Sequence, residues 1–112
     1  MGEYFKIANI DRKEFIHPHR FGHGMKKWEV AVNAPGAISA LAMLISTPAK
    51  VVGRLSGSWA GDRIIMVGDY SAESKLYEEM EDDPSWKDIS KEIIEELTSG
   101  DKWMADRMKY SP

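Results

Sequence analysis

The stretch Trp59-Ala-Gly-Asp-Arg-Ile-Ile-Met-Val-Gly-Asp-Tyr70 decides the fold class. The apolar residues at positions 64–67 place hydrophobic side chains on both faces of an extended chain, since successive side chains alternate. Such a run is typical of a strand in the middle of a sheet that is covered on both sides. We therefore predict a central strand here, and we interpret residues 60–62 as the hairpin turn that leads into it.

The N-terminal segment predicts a β-hairpin over residues 4–17. Residues 4–10 are rich in aromatic and β-branched side chains, and residues 14–17 repeat this pattern after the polar turn 11–13. Pro18 has no N–H group to donate to a neighbouring strand, so regular pairing is expected to end there. The residues that follow, 19–24, are predicted to form a loop.

The middle of the chain predicts one more strand and one helix. Trp28, Val30 and Val32 alternate with less apolar residues, which favours a half-buried strand. Residues 37–46 carry no charge and are rich in Ala and Leu, which favours a buried helix that ends at Thr47-Pro48. The glycine-containing segment 51–58 is predicted to be a loop or a bulged strand.

The C-terminal part predicts three helices. Ser71 is a suitable N-cap for the first, which stops before Pro84 and has one apolar face formed by Leu76, Tyr77 and Met80. Ser90 is a suitable N-cap for the second, which ends before Gly100 and has a buried stripe formed by Ile89, Ile93, Ile94 and Leu97. Residues 101–110 predict a last short helix. The chain thus predicts one α+β domain over 1–112, in which the N-terminal β-hairpin and the central strand pack with the buried helix and the C-terminal helices.

Composition narrows the class of protein. The 112 residues contain 43% hydrophobic and 29% charged residues, which is ordinary for one soluble domain. They contain no cysteine, which excludes disulfides, thiol nucleophiles and cysteine-ligated metals. The most apolar segment, 36–46, is far shorter than the roughly 20 residues that span a bilayer, and no signal peptide is visible. We expect a cytoplasmic protein without a membrane partner.

Charge is divided unequally along the chain. Residues 1–54 contain eight Lys and Arg against four Asp and Glu, whereas residues 55–112 contain seven against fourteen. We interpret the acidic run 78–83 as a solvated helix end. Basic residues stand beside aromatic ones at 12–13, 20–21 and 26–28, which is compatible with nucleic-acid binding, but the pI of about 5.6 opposes it. Nucleic acid is therefore not the expected partner.

All three histidines lie in His17-Pro-His-Arg-Phe-Gly-His-Gly24. In an extended backbone His17 and His19 point to the same side with Cα atoms about 7 Å apart, which is compatible with a shared divalent metal. His23 could swing back through Gly22 to complete a catalytic zinc site. The alternative is a turn in which the imidazoles bond to backbone or face solvent, and the absence of a nearby carboxylate favours it. No cofactor is predicted, and a metal at His17 and His19 remains the alternative.

The aspartates at the ends of the predicted central strand suggest a cleft rather than a dyad. Asp62 and Asp69 are seven residues apart, so on a strand they face opposite ways and lie about 23 Å apart. They cannot act together in acid–base or two-metal chemistry. Asp69, at the strand end, and Arg20 are the candidates for lining a cleft. The glycines match no phosphate-binding loop, and no serine has the context of a nucleophile.

Two segments resemble a family of small uncharacterised proteins from bacterial, archaeal and viral genomes. The first runs from Tyr4 to Gly22 and contains the HPHxFG pattern, and the second is the WAGDRIxxxGDY pattern of residues 59–70. The resemblance covers about a quarter to a third of the chain. His17, His19, Asp62 and Asp69 lie inside the matching segments, whereas His23 lies outside them, which weakens a three-histidine site. The resemblance implies no activity, so no catalytic residue is carried over.

These observations lead to three hypotheses about function. The first is a small binding or interaction domain without catalytic chemistry, which binds another protein or a second copy of itself through an exposed apolar patch. The second is a metal-assisted hydrolase that uses the histidine loop and Asp69. The third is a nucleic-acid-binding protein, whose affinity would fall steeply with salt.

Overall fold

The protein is organised by a four-stranded mixed sheet in the order β3-β1-β2-β4. Its strands are β1 (Phe5–Asn9), β2 (Glu14–Ile16), β3 (Ile64–Gly68) and β4 (Lys87–Asp88). β1 pairs antiparallel with both β2 and β3, whereas β2 and β4 run parallel. The N-terminal strand is therefore the inner strand that joins the two halves of the chain, and all five of its residues are buried.

The computed structural model describes residues 3–47, 53–70 and 74–112. Within these residues there are five α-helices and one 3-10 helix (Pro18–Phe21). The α-helices are α1 (Lys27–Val32), α2 (Ala37–Ile45), α3 (Ser74–Asp82), α4 (Ser90–Thr98) and α5 (Lys102–Arg107). The predicted α+β class is confirmed, and the predicted N-cap at Ser71, the helix end at Pro48 and part of the 51–58 segment lie outside the described residues.

Two hydrophobic clusters cover the two faces of the sheet, because neighbouring strand residues point to opposite sides. On the first face Ile7 and Ile16 pack with buried residues of α1, α2 and α4 and with Trp59. On the second face Ala8 and Phe15 pack with Val67, with Met80 of α3 and with Trp86. The helices α1, α2 and α4 thus lie on one side of the sheet, and α3 lies on the other.

The predicted strand at 64–67 exists as β3, but the prediction that it lies in the middle of the sheet is wrong. Ile64 and Met66 pack against the first cluster, and Ile65 packs against the second, so the prediction that both faces are covered is confirmed. However, β3 lies at the edge of the sheet and β1 is its pairing partner. The turn at 60–62 is therefore not a hairpin turn. An apolar run indicates which faces of a strand are covered, but it does not indicate how many strands pair with it.

The predicted strand around Val30 is a helix, α1. The backbone N–H of Lys26 donates to Glu29 Oε1 at 3.0 Å, a contact that holds the first turn of the helix. Only Val30 of this helix is buried, while Trp28 and Val32 remain exposed. In a helix of six residues the alternation of apolar side chains does not distinguish a strand from a helix.

The remaining predictions are largely confirmed. The hairpin pairs Ile7 with Ile16, and the Arg12 N–H donates to Asn9 Oδ1 at 2.9 Å across its turn. The predicted helices correspond to α2, α3, α4 and α5, and Gly100 follows α4 with a positive φ of 72°. Ser90 is the first residue of α4, and Ile89 occupies the N-cap position instead. The Ser90 N–H donates to Asp88 Oδ1 at 2.9 Å. Part of the predicted loop 19–24 belongs to the 3-10 helix.

Candidate functional site

His17 and Arg20, two of the residues selected from the sequence, line one cleft on the second face of the sheet. The cleft has a volume of about 550 Å³ and lies between β1, β2 and the end of α3. Its polar lining includes Lys6, His17, Arg20, Glu81, Asp82, Asp83 and Asp88, and its apolar lining includes Phe15, Met80 and Trp86. Sequence reasoning therefore selected two of these seven polar residues and missed the other five, which are Lys6, Glu81, Asp82, Asp83 and Asp88.

Lys6 is the most deeply buried charge of the cleft, with no exposed side-chain surface. Its Nζ donates to Glu81 Oε1 at 2.8 Å and lies 4.3 Å from the centre of the Tyr77 ring. Burial, together with the negative charges of Glu81 and Asp69, raises the pKa of Tyr77 to about 12, so this phenol keeps its proton at neutral pH. The amine is thus held by one carboxylate and by the face of an aromatic ring.

Asp88 connects the 3-10 helix to the start of α4. Its Oδ2 lies 3.6 Å from Arg20 Nε, while its Oδ1 accepts hydrogen bonds from the N–H and the hydroxyl of Ser90. The Ser90 oxygen in turn accepts the backbone N–H of His17 at 2.9 Å. Asp88 and Ser90 thus satisfy each other, whereas Arg20 Nε is buried without a hydrogen-bond partner among the described residues.

The His17 imidazole is half-buried, and its Nδ1 atom has no hydrogen-bond partner among the described residues. Burial is the main cause that lowers the pKa of His17 to about 4; the positive charge of Lys6 acts in the same direction, and the carboxylate of Asp88 opposes it. The ring is accordingly neutral at pH 7. A histidine with this pKa is a weak general base and does not contribute positive charge to the cleft at neutral pH.

The low pKa of His17 predicts that the fold loses stability as the pH falls from about 6.5 toward 4. The ordinary value is 6.5 and the folded value is about 4, so between these pH values the unfolded chain binds a proton that the folded chain does not. The contribution of His17 to the free energy of unfolding is therefore complete above about pH 6.5 and is lost as the pH falls toward 4. Because the ring is partly exposed, we expect a loss of about 1–2 kcal/mol, less than the full shift would give.

Urea unfolding at pH 7 and at pH 4.5, measured on the unsubstituted chain and on His17→Gln, checks this expectation. The glutamine variant should lose clearly less stability between the two pH values. Asp11 and Asp83 also have lowered pKa values, but they titrate below their ordinary value of 3.8, outside this window. An equal loss in both proteins would contradict the assignment to His17.

The other two histidines lie apart from the cleft lining. The exposed His19 ring is 6.1 Å from the His17 ring, centre to centre, at an interplanar angle of 59°. His23 Nε2 accepts the N–H of Ala37 at 3.2 Å and its Nδ1 lies 2.8 Å from the Gly24 carbonyl oxygen, so His23 holds the start of α2. Among the described residues no three side chains of His, Asp or Glu are grouped to hold a metal ion.

The two aspartates of the WAGDRIIMVGDY stretch both accept hydrogen bonds, Asp69 from a backbone N–H and Asp62 from two side chains. Asp69 Oδ1 accepts the N–H of Tyr4 at 3.0 Å, and Asp69 is not among the residues that line the cleft. Asp62 Oδ2 accepts hydrogen bonds from Asn9 Nδ2 at 2.9 Å and from Arg12 Nε at 3.1 Å. Arg20 thus lines the cleft, whereas Asp69, its predicted companion, does not.

A second candidate site is an apolar surface formed by the two neighbouring helices α1 and α2, which we call the α1–α2 face. It consists of the exposed side chains Trp28, Ala31, Val32, Ile38, Ala42 and Ile45. Trp28 is 72% exposed and Val32 is 74% exposed, and they lie one helical turn apart. Ile38, Ala42 and Ile45 follow the same helical spacing on α2, and residues 30–46 contain no Asp, Glu, Lys or Arg. Sequence reasoning predicted α2 as buried and therefore missed this surface.

The comparisons with known proteins leave the function to be inferred from these sites. No family model, curated protein or solved structure matches the chain. In the described part of the chain none of the helices has the length and apolar character needed to cross a bilayer.

Proposed function

We propose that the protein is an interaction domain without catalytic chemistry, which binds a partner protein through the α1–α2 face. The observation that carries the proposal is the exposure of Trp28 and Val32, beside the charged residues Lys27 and Glu29 of α1, next to the uncharged helix α2. Isolated apolar residues are common on protein surfaces, but several of them on two neighbouring helices favour an interface. We place such a domain in the cytoplasm, where proteins do not depend on disulfide bonds for stability and a chain without cysteine is ordinary.

Physical chemistry favours this surface for binding. Each Å² of apolar surface removed from water contributes about 25 cal/mol, and tryptophan is the residue type most enriched among those that dominate binding energy. The helices also place these side chains on a backbone that is already folded, so little conformational entropy is lost on binding. Val30, Ala37, Ala40 and Leu44 anchor the opposite sides of the same helices in the core.

The cleft supports catalysis less well. Lys6 is engaged by Glu81, and Arg20 forms a long ion pair of 3.6 Å with Asp88, so the Lys6 ammonium in particular is already paired. A metal-assisted hydrolase would need His17 and His19 to converge with a carboxylate, and no such group is found among the described residues. We therefore keep hydrolysis and nucleic-acid binding as weaker alternatives.

Cysteine labelling tests the proposal without knowledge of the partner, because the chain has no cysteine of its own. Val32→Cys places a thiol on the α1–α2 face, and Lys102→Cys places one on α5, where the lysine side chain is 88% exposed. We expect a cell-permeable maleimide to label Val32→Cys at least about fivefold more slowly in the protein's native cells than in the diluted, purified protein, because a bound partner excludes the reagent. Lys102→Cys should react alike in both settings after correction for thiols in the cell. Equal behaviour of the two variants would contradict the proposal.

A further inference from the structure

We propose that the cleft on the second face of the sheet binds a basic amino acid, with its carboxylate at Arg20 and its ammonium groups at Asp82 and Asp83. The cleft lies on the opposite side of the sheet from α1 and α2, so this inference goes beyond the proposed function and does not depend on it. It requires donors for the carboxylate, acceptors for the ammonium groups, and a lining that disfavours ligands of other charge.

Arg20 offers donors that the folded chain leaves unused. Its side chain is 29% exposed, and its guanidinium donates no hydrogen bond to any described residue. Its Nε lies 3.6 Å from Asp88 Oδ2, and its guanidinium carbon lies 6.0 Å from the centre of the Tyr110 ring. A guanidinium presents five N–H groups in a planar fork that matches the two oxygens of a carboxylate. Arg20 can therefore hold the carboxylate of a ligand in the cleft.

Acidic groups lie on the other wall of the cleft, at the end of α3. Asp82 is the last residue of α3, is exposed, and forms no ion pair or hydrogen bond within the described part of the chain. Asp83 follows it, and only its Oδ1 accepts hydrogen bonds from described residues, both of them from Ser85. The carbonyl groups at the end of a helix add partial negative charge at the same place. An ammonium group is therefore favoured here.

The charges of the lining select a ligand that carries both signs. Two lining side chains are positive and four are negative, while the His17 ring, with its low pKa, is neutral at pH 7. Lys6 and Glu81 already neutralise each other at 2.8 Å. A simple anion would meet a surplus of negative charge, and a simple cation would leave the Arg20 donors unused. A molecule with one carboxylate and more than one ammonium group satisfies both walls.

The size and the floor of the cleft favour a small polar ligand. The volume of about 550 Å³ lies within the roughly 300–1,000 Å³ that is typical of small-molecule sites. The apolar lining residues are covered by the fold, since none of them is more than 8% exposed: Phe15, Met80 and Trp86. A hydrophobic ligand would therefore remove little apolar surface from water. Basic amino acids are the simplest class of molecule that meets all these conditions.

Chemical-shift titration of the isotope-labelled, purified chain with L-lysine, in about 150 mM salt, tests the inference. We expect saturable shifts of residues 17–21 and 80–88, with a dissociation constant below about 1 mM. Two analogues divide the ligand: cadaverine is lysine without its carboxylate, and ε-aminocaproate is lysine without its α-ammonium group. Each should bind at least about tenfold more weakly than L-lysine, because each leaves part of the lining without its charged partner.

Two substitutions assign the walls of the cleft. Arg20→Gln should raise the dissociation constant of L-lysine at least about tenfold and should not weaken the binding of cadaverine, which has no carboxylate. Asp82→Asn should weaken the binding of both compounds at least about threefold. Glu78→Gln removes a carboxylate from the same helix but outside the cleft lining, so it is the matched control and should leave both constants nearly unchanged.

The series of analogues on the unsubstituted chain decides the inference even if Arg20→Gln fails to fold, which circular dichroism will show. Three results overturn it: no saturable shift at about 10 mM L-lysine, cadaverine binding as tight as that of L-lysine, or shifts confined to residues outside the cleft. Equal weakening by Glu78→Gln and Asp82→Asn would also refute it, because the acidic surface as a whole would then attract the cation.

Discussion

Trp59→Ala is expected to lower the free energy of unfolding by about 3–5 kcal/mol, the largest effect of any single substitution considered. Trp59 is fully buried in the cluster on the first face of the sheet, so alanine leaves a cavity the size of an indole ring. Its Nε1 also donates to Glu14 Oε1 at 2.8 Å, and removal leaves that carboxylate without this partner. The total free energy of unfolding of a domain of this size is about 5–15 kcal/mol, so urea unfolding followed by circular dichroism will detect the change easily.

Two further substitutions separate packing from hydrogen bonding at this tryptophan. Trp59→Phe keeps most of the apolar volume but loses the N–H donor, so we expect a smaller loss, of about 1–2 kcal/mol. Glu14→Gln keeps an oxygen acceptor and should change stability by less than either. If Trp59→Ala lowered the free energy of unfolding by less than about 1 kcal/mol, burial of Trp59 would not be a main source of stability in the first cluster.

The partly buried pair of Lys6 and Glu81 should respond very differently to removal of each of its two partners. Glu81→Ala leaves the buried ammonium of Lys6 without its carboxylate, and we expect a loss of about 1–3 kcal/mol. The value is below that of a fully buried pair because the Glu81 side chain is 54% exposed and the Tyr77 ring still contacts the amine. Lys6→Met removes the charge and keeps the length of the side chain, so its effect should stay within about 1 kcal/mol.

Thermal and urea unfolding of both variants, side by side, measure this difference. Glu78→Ala, a change on the same helix at an exposed position, controls for the loss of a carboxylate from the acidic run. A larger loss from Lys6→Met than from Glu81→Ala would mean that the ammonium of Lys6 stabilises the fold through contacts other than Glu81, such as the Tyr77 ring.

Elements made from local patterns could be predicted, and elements made by distant pairing could not. The hairpin and the apolar stripe of α4 follow from side-chain spacing along one short segment. The edge position of β3 depends on its partner β1, which lies about 60 residues earlier in the chain. The two-residue strand β4 is too short to show a side-chain pattern in the sequence. Backbone hydrogen bonds hold it, from Lys87 N–H to Lys13 O at 2.9 Å and from Ile89 N–H to Phe15 O at 3.1 Å.

The same distinction applies to the candidate sites. His17 and Arg20 could be selected because they stand in one unusual short segment. Lys6 could not, because a lysine within a strand is expected to face solvent, and its partner Glu81 lies 75 positions away. The α1–α2 face was missed because an uncharged helix of ordinary length predicts burial on all sides. Which side of such a helix the core covers is decided by the rest of the fold.

The inner position of β1 has a consequence for synthesis of the chain on the ribosome. β1 is made early and can pair at once with β2, but the strand that covers its other edge, β3, follows about 60 residues later. At roughly 5–20 residues per second, that edge waits about 3–12 s for its partner. An open apolar edge is a site for aggregation, and a charge within it opposes association with other nascent chains. Lys6 supplies that charge in the middle of the apolar residues of β1, so the ammonium that Glu81 neutralises in the folded protein protects the strand before Glu81 has been made.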